Sequence, residues 1–234
     1  MSKKVTITQS NYIPWKGFFD ALNTVDEIII YDVAQFTRRD WRSRNRIKTP
    51  HGTSWLTIPV AVKGKYLQTI NESKIAQGAW NHAHWKIIKQ NYSKAPYFLT
   101  YQDFFEPLFL GLDSLYLSEI NVFLLKEICK LLHIPTVFKY AQDFQLSDGK
   151  TEKLVELCKQ TGASDYYTGP SAKNYLDETL FVREGIRVHY FDYSGYPVYH
   201  QLYGEFVHEV SIIDLLLNEG PNAPKYMKSF GFNN

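Results

Sequence analysis

The sequence predicts an α/β protein built on a doubly wound, mainly parallel sheet, with a helical insertion in the middle of the chain. Three observations carry that expectation. Strand, helix and strand patterns succeed one another within the first thirty-odd residues, which is the length of one βαβ unit, about 30 residues. Glu27–Tyr31 is a continuous apolar run ending at Asp32, the pattern of a strand buried on both faces. Further short strand patterns in the C-terminal half are again separated by helical ones, which favours parallel pairing.

Taken in order, Val5–Gln9 alternates, with Val5 and Ile7 on one side. Pro14-Trp15-Lys16-Gly17 opens a helix with apolar positions at Phe18, Ala21, Leu22 and Val25. Trp55–Val62 is rich in β-branched residues and reads as the next strand, with Pro59 marking an edge or a bulge. The middle is helical: Ala79–Tyr92, then residues 97–110, then Asp113–His133, which Pro135 terminates. Thr136–Tyr140 is a strand. Lys150–Thr161 is an amphipathic helix with Leu154, Leu157 and Cys158 inward and Gly162 as its stop signal. Asp165–Thr168 is a strand, followed by Gly169-Pro170 and a helical turn. Arg187–Tyr190 is the last strand and Val210–Leu217 the last helix. No linker divides the chain, so residues 1–234 are expected to form one domain, with Ala141–Lys150 the best internal seam.

Composition excludes several classes. The chain has 234 residues, enough at about 100–200 residues per domain to bury a core without disulfide or metal staples. Aromatic residues make up 16%, which excludes a disordered chain. Cys129 and Cys158 lie in apolar helical patterns and are expected to be buried, reduced thiols. The first nine residues lack the apolar stretch of a signal peptide, about 7–15 residues long. No apolar run approaches the roughly 18 residues of a membrane span. A soluble cytoplasmic protein without membrane insertion is therefore expected.

Net charge is only +2, but it is unevenly placed. Arg38–Lys48 holds six of the 26 basic residues and one of the 24 acidic ones, a local charge of +5 against −3 elsewhere. Guanidinium forks match phosphate oxygens two at a time. Arg39, Arg44, Arg46 and Lys48 are thus candidates to hold a diphosphate; a solvated basic loop or a nucleic-acid contact are the alternatives. Ligands of doubly wound sheets bind beyond the carboxyl ends of the strands. That rule selects Gln9–Trp15, Asp32–Arg46, Asp143–Thr151 and Thr168–Tyr175. Within them Asp32 is the candidate general base, although a turn or cap role fits it equally. Gln9 and Asn11 carry amides that donate and accept at once. Tyr166–Pro170, with Gly169, forms a tight strand-to-helix turn whose N–H groups suit an anion, and Lys150-Thr151 precedes a helix in the same way. The glycine spacing of a P-loop is absent. His82 and His84 would face opposite ways on a helix, Cys158 reads as core, and His200 and His208 are isolated.

These segments resemble the WbqC-like family. The resemblance rests on Gln9-Ser-Asn-Tyr-Ile-Pro-Trp-Lys-Gly17, on Asp32-x-x-Gln35-Phe36-x-x-Arg39-x-Trp41-x-x-Arg44-Asn-Arg-Ile-Lys48, and on Trp55-Leu-Thr-Ile-Pro-Val60. It continues through Asn91–Tyr97, Lys150-Thr-Glu-x-Leu154, Gly162–Pro170, Tyr203-Gly-Glu-Phe206 and Ser211-x-x-Asp214; Ser10 stands where such proteins usually carry proline. It implies a role in O-antigen and other surface-polysaccharide biosynthesis, with glycyl or acyl transfer to an amino sugar as the suggested activity. On that reading Asp32 and Gln35 are the catalytic candidates. Gln9, Asn11, Tyr12, Trp15, Arg39, Trp41, Arg44, Asn45, Arg46, Lys48, Lys150, Thr151, Tyr166 and Gly169 would bind a nucleotide-activated amino sugar. The donor would be an activated acyl group on a thioester carrier or an aminoacyl-tRNA, with no metal. A weaker similarity is to the HxGH-type nucleotidyltransferases: Pro14-Trp-Lys-Gly-Phe18 keeps the glycine of that turn and lacks both histidines. The rival expectations are a nucleotidyl or phosphoryl transferase with altered catalytic groups, and a non-catalytic nucleotide-sugar-binding protein.

Overall fold

A computed structural model describes residues 2–76 and 78–231. In chain order the elements are β1 (Lys4–Thr8), α1 (Lys16–Thr24), β2 (Glu27–Ile30), β3 (Arg44–Thr49), β4 (Gly52–Thr57), α2 (Trp80–Tyr92), α3 (Phe98–Leu110) and α4 (Leu117–Leu131). They continue with β5 (Val137–Tyr140), α5 (Thr151–Thr161), β6 (Asp165–Thr168), α6 (Glu178–Arg183), β7 (Arg187–Tyr190) and α7 (Ile212–Glu219). Five strands form one parallel sheet in the order β5-β2-β1-β6-β7. The chain builds outward from β1 through β2 to β5, then returns to the other side of β1 for β6 and β7. The α/β class read from the sequence is the one observed.

Residue alternation explains why helices cover both faces. Val5, Ile7 and Ile29 point into a core closed by Val155, Leu157 and Cys158 of α5 and Phe181 of α6. Ile28 and Ile30 point the other way, into a larger core built by α1, α2, α3, α4 and α7. Both cysteines are free and buried, and burial pushes their thiols up to about 12, so neither is a ready nucleophile. α5 ends where Gly162 adopts φ +69, the left-handed conformation glycine reaches without a Cβ penalty.

One part of the sequence reading is corrected. The strand expected at Trp55–Val62 does not join the main sheet. Gly52–Thr57 pairs antiparallel with Arg44–Thr49, so the basic segment is itself half of a separate two-stranded ribbon. Its signal lay in the period-2 alternation Arg44-Asn45-Arg46-Ile47-Lys48. Asn45 and Ile47 are buried, while Arg44 and Arg46 alternate with them on the opposite face. Charge density hid that pattern. α6 lies outside the helices expected from the sequence, although Asp177 is its cap and accepts from Thr179 N at 3.0 Å. The helix expected at Asp113–His133 begins only at Leu117, because Tyr116 is drawn into an extended bridge with Lys74.

Residues 191–211 cross from β7 to α7 without helix or strand. Two buried lysines hold this strap. Lys16 of α1, 2% exposed, donates to Pro197 O at 2.6 Å, and Lys48 of β3 donates to Glu205 O. The Lys16 ammonium also sits over the rings of Tyr196, Tyr199 and Phe206, 5.0–5.7 Å from their centroids. Burial lowers its pKa from the ordinary 10.5 to about 8, with Asp20 partly opposing the shift. The folded chain therefore releases this proton at lower pH than the unfolded chain. Between those values the unfolded state binds more protons, and stability rises with pH. Urea unfolding at pH 8 and 9.5 should show that gain in the wild type and a smaller one in Lys16→Met; equal gains would assign the slope elsewhere.

Candidate functional site

At the point where the strand order reverses, between β1 and β6, the structure has a cavity of about 750 Å3. It lies at the carboxyl ends of the strands, where divergent loops leave a crevice. All four segments selected by that rule reach it: Gln9, Asn11 and Trp15 after β1, Trp41 and Arg42 before β3, Gly149 and Lys150 before α5, and Thr168, Gly169 and Ser171 after β6. Lys153 on the first turn of α5 and Tyr193 on the strap complete the wall. The lining side chains include three cations, Arg42, Lys150 and Lys153, and no carboxylate or histidine.

Local chemistry sets each group. Gly17 opens α1, and a methyl there would lie 2.3 Å from the Trp15 indole; only glycine lets that ring fold back against the helix and form the cavity wall. The indole meets Tyr193 and Tyr196 edge-on at 5.5 and 5.4 Å. The loop from Gln9 to Trp15 is strained, with Ile13 at φ +35. Asn45 holds it by donating to Tyr12 O at 3.0 Å and Ile13 O at 2.9 Å. Arg42 donates to Gln9 Oε1 through Nε at 2.6 Å and through a terminal nitrogen, and to Asp40 at 3.1 Å. That fork fixes Gln9 and leaves Arg42 partly neutralised. Asn11 Oδ1 is buried with no hydrogen-bond partner among the described residues. Lys150 is the N-cap residue of α5 and makes no side-chain hydrogen bond to the helix, and both Lys150 and Lys153 line the cavity.

The structure keeps Tyr166 and Gly169 at this cavity and separates the other remaining candidates from it. Asp32 is 3% exposed, and its carboxylate accepts from Ser10 N at 2.8 Å and Ser118 Oγ at 2.5 Å. It is an anchor between β2, the first loop and α4, not a lining group. Gln35 is exposed and donates to Tyr66 O at 2.8 Å. Tyr12 is fully buried, its hydroxyl 2.8 Å from His84 Nδ1; burial holds that imidazole down at about 4, so it is neutral. Thr151 is buried and accepts from Asp177 N at 3.3 Å, while Tyr166 borders the cavity and stacks on Phe181. Gly169 lines the cavity. Arg39 is exposed at φ +57, and Lys48 is committed to the strap. Arg44 and Arg46 lie on the outer face of the ribbon, packed against tryptophans. The diphosphate candidates of the cavity are therefore Arg42, Lys150 and Lys153. Of these, Arg42 and Lys153 carried no individual sequence signal that set them apart from their charged neighbours.

Among the described residues no group of three or more His, Cys, Asp or Glu is placed to hold a metal ion. His82 is exposed and His84 buried, as their spacing on one helix requires. Among the described residues no helix is long and apolar enough to cross a membrane.

Because Asp32 links three elements, its loss has a structural signature. Asp32→Ala leaves the buried Ser10 N–H and Ser118 hydroxyl unpaired, about 1–3 kcal/mol each. Urea unfolding should show a loss of about 2–6 kcal/mol, and near-wild-type stability would remove Asp32 from the framework.

Comparison with known proteins follows the same segments. The model of the WbqC-like protein family matches residues 9–226. A protein of Mycobacterium tuberculosis (strain ATCC 25618 / H37Rv), described as "Uncharacterized protein Rv1507c", is 50% identical over 226 residues, which cover 97% of this chain and 98% of that one. No solved structure gives a significant match. With a cavity assembled from the motifs those comparisons span, the chain belongs to the WbqC-like protein family.

Proposed function

We propose that this chain is a cytoplasmic transferase acting on a nucleotide-linked amino sugar in surface-polysaccharide biosynthesis, adding an aminoacyl (glycyl) or acyl group to the sugar amine. The observation that carries this reading is the cavity wall itself: Lys150 and Lys153, with Arg42 held beside them by Gln9 and Asp40, next to aromatic rings. A nucleoside diphosphate supplies the matching anion, and the apolar faces of a sugar suit Trp15, Trp41 and Tyr193.

In the reaction the sugar nitrogen attacks the carbonyl carbon of the donor. A new C–N bond forms, the C–O or C–S bond to the carrier breaks, and the nitrogen loses a proton while the leaving group gains one. Asn11 lines the cavity, and this reading assigns its amide side chain to orienting the amine. The wall offers no carboxylate or histidine as base, so this reading assigns the rate gain to positioning and to cations facing the developing oxyanion. The proton passes to the leaving group. The same absence favours a second reading, a nucleotide-sugar-binding protein without turnover.

The test uses uridine and thymidine diphosphate amino sugars as probes, followed by thermal melting and calorimetry. Both readings expect saturable stabilisation, weakened about tenfold per lost charge-assisted bond in Lys150→Gln and Lys153→Gln with unchanged melting of the free variants. Mass spectrometry with glycyl and thioester donors then separates them: a product heavier by one glycyl or acyl group supports the transferase. Failure of every nucleotide sugar to stabilise the protein would overturn both.

A further inference from the structure

The cations that the cavity leaves unused form a second surface. Arg44 and Arg46 of β3, with Trp55 directly opposite Arg46 on β4, lie half-buried on the ribbon face that also carries Lys48, beyond the part the strap covers. The Arg44 guanidinium carbon lies 3.9 Å from the centre of a Trp55 ring. Arg46 lies 5.5 Å from Trp55 and 5.7 Å from Trp41, and the two indoles are 5.5 Å apart. Both indoles are about two-fifths exposed, at 39% and 41%. Two adjacent, partly exposed indoles beside guanidiniums make a flat aromatic and cationic surface suited to stacking.

Three further features narrow that partner. The Nε atoms of Arg44 and Arg46 are buried, so it is the terminal nitrogens of these guanidiniums that a ligand would meet. The nearest carboxylates are sparse: Glu209 meets Arg46 only at 3.7 Å and is mostly exposed, Asp40 is engaged by Thr37 and Arg42, and Glu205 belongs to the exposed strap. Finally, the surface is continuous with the cavity. Trp41 borders both, and a depression of about 270 Å3 lined in part by Asn11, Trp15, Trp41, Asn45, Tyr193 and Glu209 adjoins them, its one carboxylate being the partner of Arg46.

A single diphosphate is already provided for inside by Arg42, Lys150 and Lys153. A ligand that also uses the ribbon must carry further phosphates at a distance, together with planar groups that stack on indoles. Single-stranded nucleic acid has both. We infer that the Arg44–Trp55–Arg46–Trp41 face docks the single-stranded end of an RNA, whose terminal nucleotide reaches the cavity past Trp41. The inference rests on the aminoacyl-transfer reading for the choice of RNA over DNA, and it makes the donor an aminoacylated RNA rather than a thioester.

Fluorescence anisotropy of a labelled 12-nucleotide single-stranded RNA tests it, with a 12-base-pair RNA duplex and polyglutamate as competitors and salt as the variable. The single strand is expected to bind in preference to the duplex. Its affinity should fall linearly with the logarithm of salt concentration, with a slope of about −0.7 per phosphate contacted. Arg44→Gln/Arg46→Gln should flatten that slope by about 1.4, and Trp41→Ala or Trp55→Ala should weaken binding about tenfold. Trp55→Phe, which keeps an aromatic ring and the ribbon, should retain most of the affinity and so separates stacking from misfolding. Lys150→Gln should change RNA affinity less than the arginine pair does. Absence of binding at low salt, equal affinity of the arginine variant, or displacement by polyglutamate better than by RNA would each overturn the inference. A nucleotide sugar that still binds in those cases leaves the cavity reading standing, and RNA binding without nucleotide-sugar binding does the reverse.

Discussion

A buried carboxylate at the end of the second strand organises the functional end of this molecule. Asp32 accepts one hydrogen bond from the backbone of the first loop and one from α4. A charge this deeply placed is tolerated only when its lone pairs are satisfied, and both donors are supplied by segments far apart in sequence. Asn121, one turn along α4 from Ser118, extends the same connection by donating to Ser10 Oγ and to Arg42 O. The first loop, the second strand, the entry to the ribbon and α4 are thereby tied at one place. Arg42 and Gln9, which face the cavity, inherit their positions from that tie.

A second constraint acts from the opposite side. The strap between β7 and α7 has no ladder of its own, so its backbone groups depend on side chains. Lys16 and Lys48 supply donors, and buried Asp214 accepts from Tyr92 and Tyr199, joining α7, α2 and the strap. Tyr92 in turn accepts from Lys48 N. Two lysines that look like surface charge in the sequence therefore serve as clamps, and the strap they hold delivers Tyr193 and Tyr196 to the Trp15 wall.

These constraints divide the basic segment into three jobs. Arg42 turns inward to the cavity, Lys48 is spent on the strap, and Arg44 and Arg46 turn outward among tryptophans. Strand alternation puts Arg44, Arg46 and Lys48 on one side of β3; the strap covers the Lys48 end of that side, while the end beside Trp55 stays partly exposed, and Arg42 precedes the strand, where the chain is still in a turn. One run of like charges thus contributes to the cavity wall and to an outer surface that share Trp41 as their border.

What the sequence alone determined was the sheet and its order of helices. Runs such as Ile28-Ile29-Ile30 must be buried on both sides, and helical periodicity between such runs leaves little choice but parallel strands with crossovers. Those rules are local, so they could be read residue by residue, and they also located the carboxyl ends of the strands where the cavity lies. The tertiary structure decided which polar residues face that cavity. Asp32 and Tyr12 stand at strand-end positions identical in character to Asn11, yet they are buried because α4 and α2 bring Ser118 and His84 to them from 86 and 72 residues away. Burial of a polar side chain depends on partners that sequence proximity does not reveal, and that is why the framework was legible and the division between anchor and site was not.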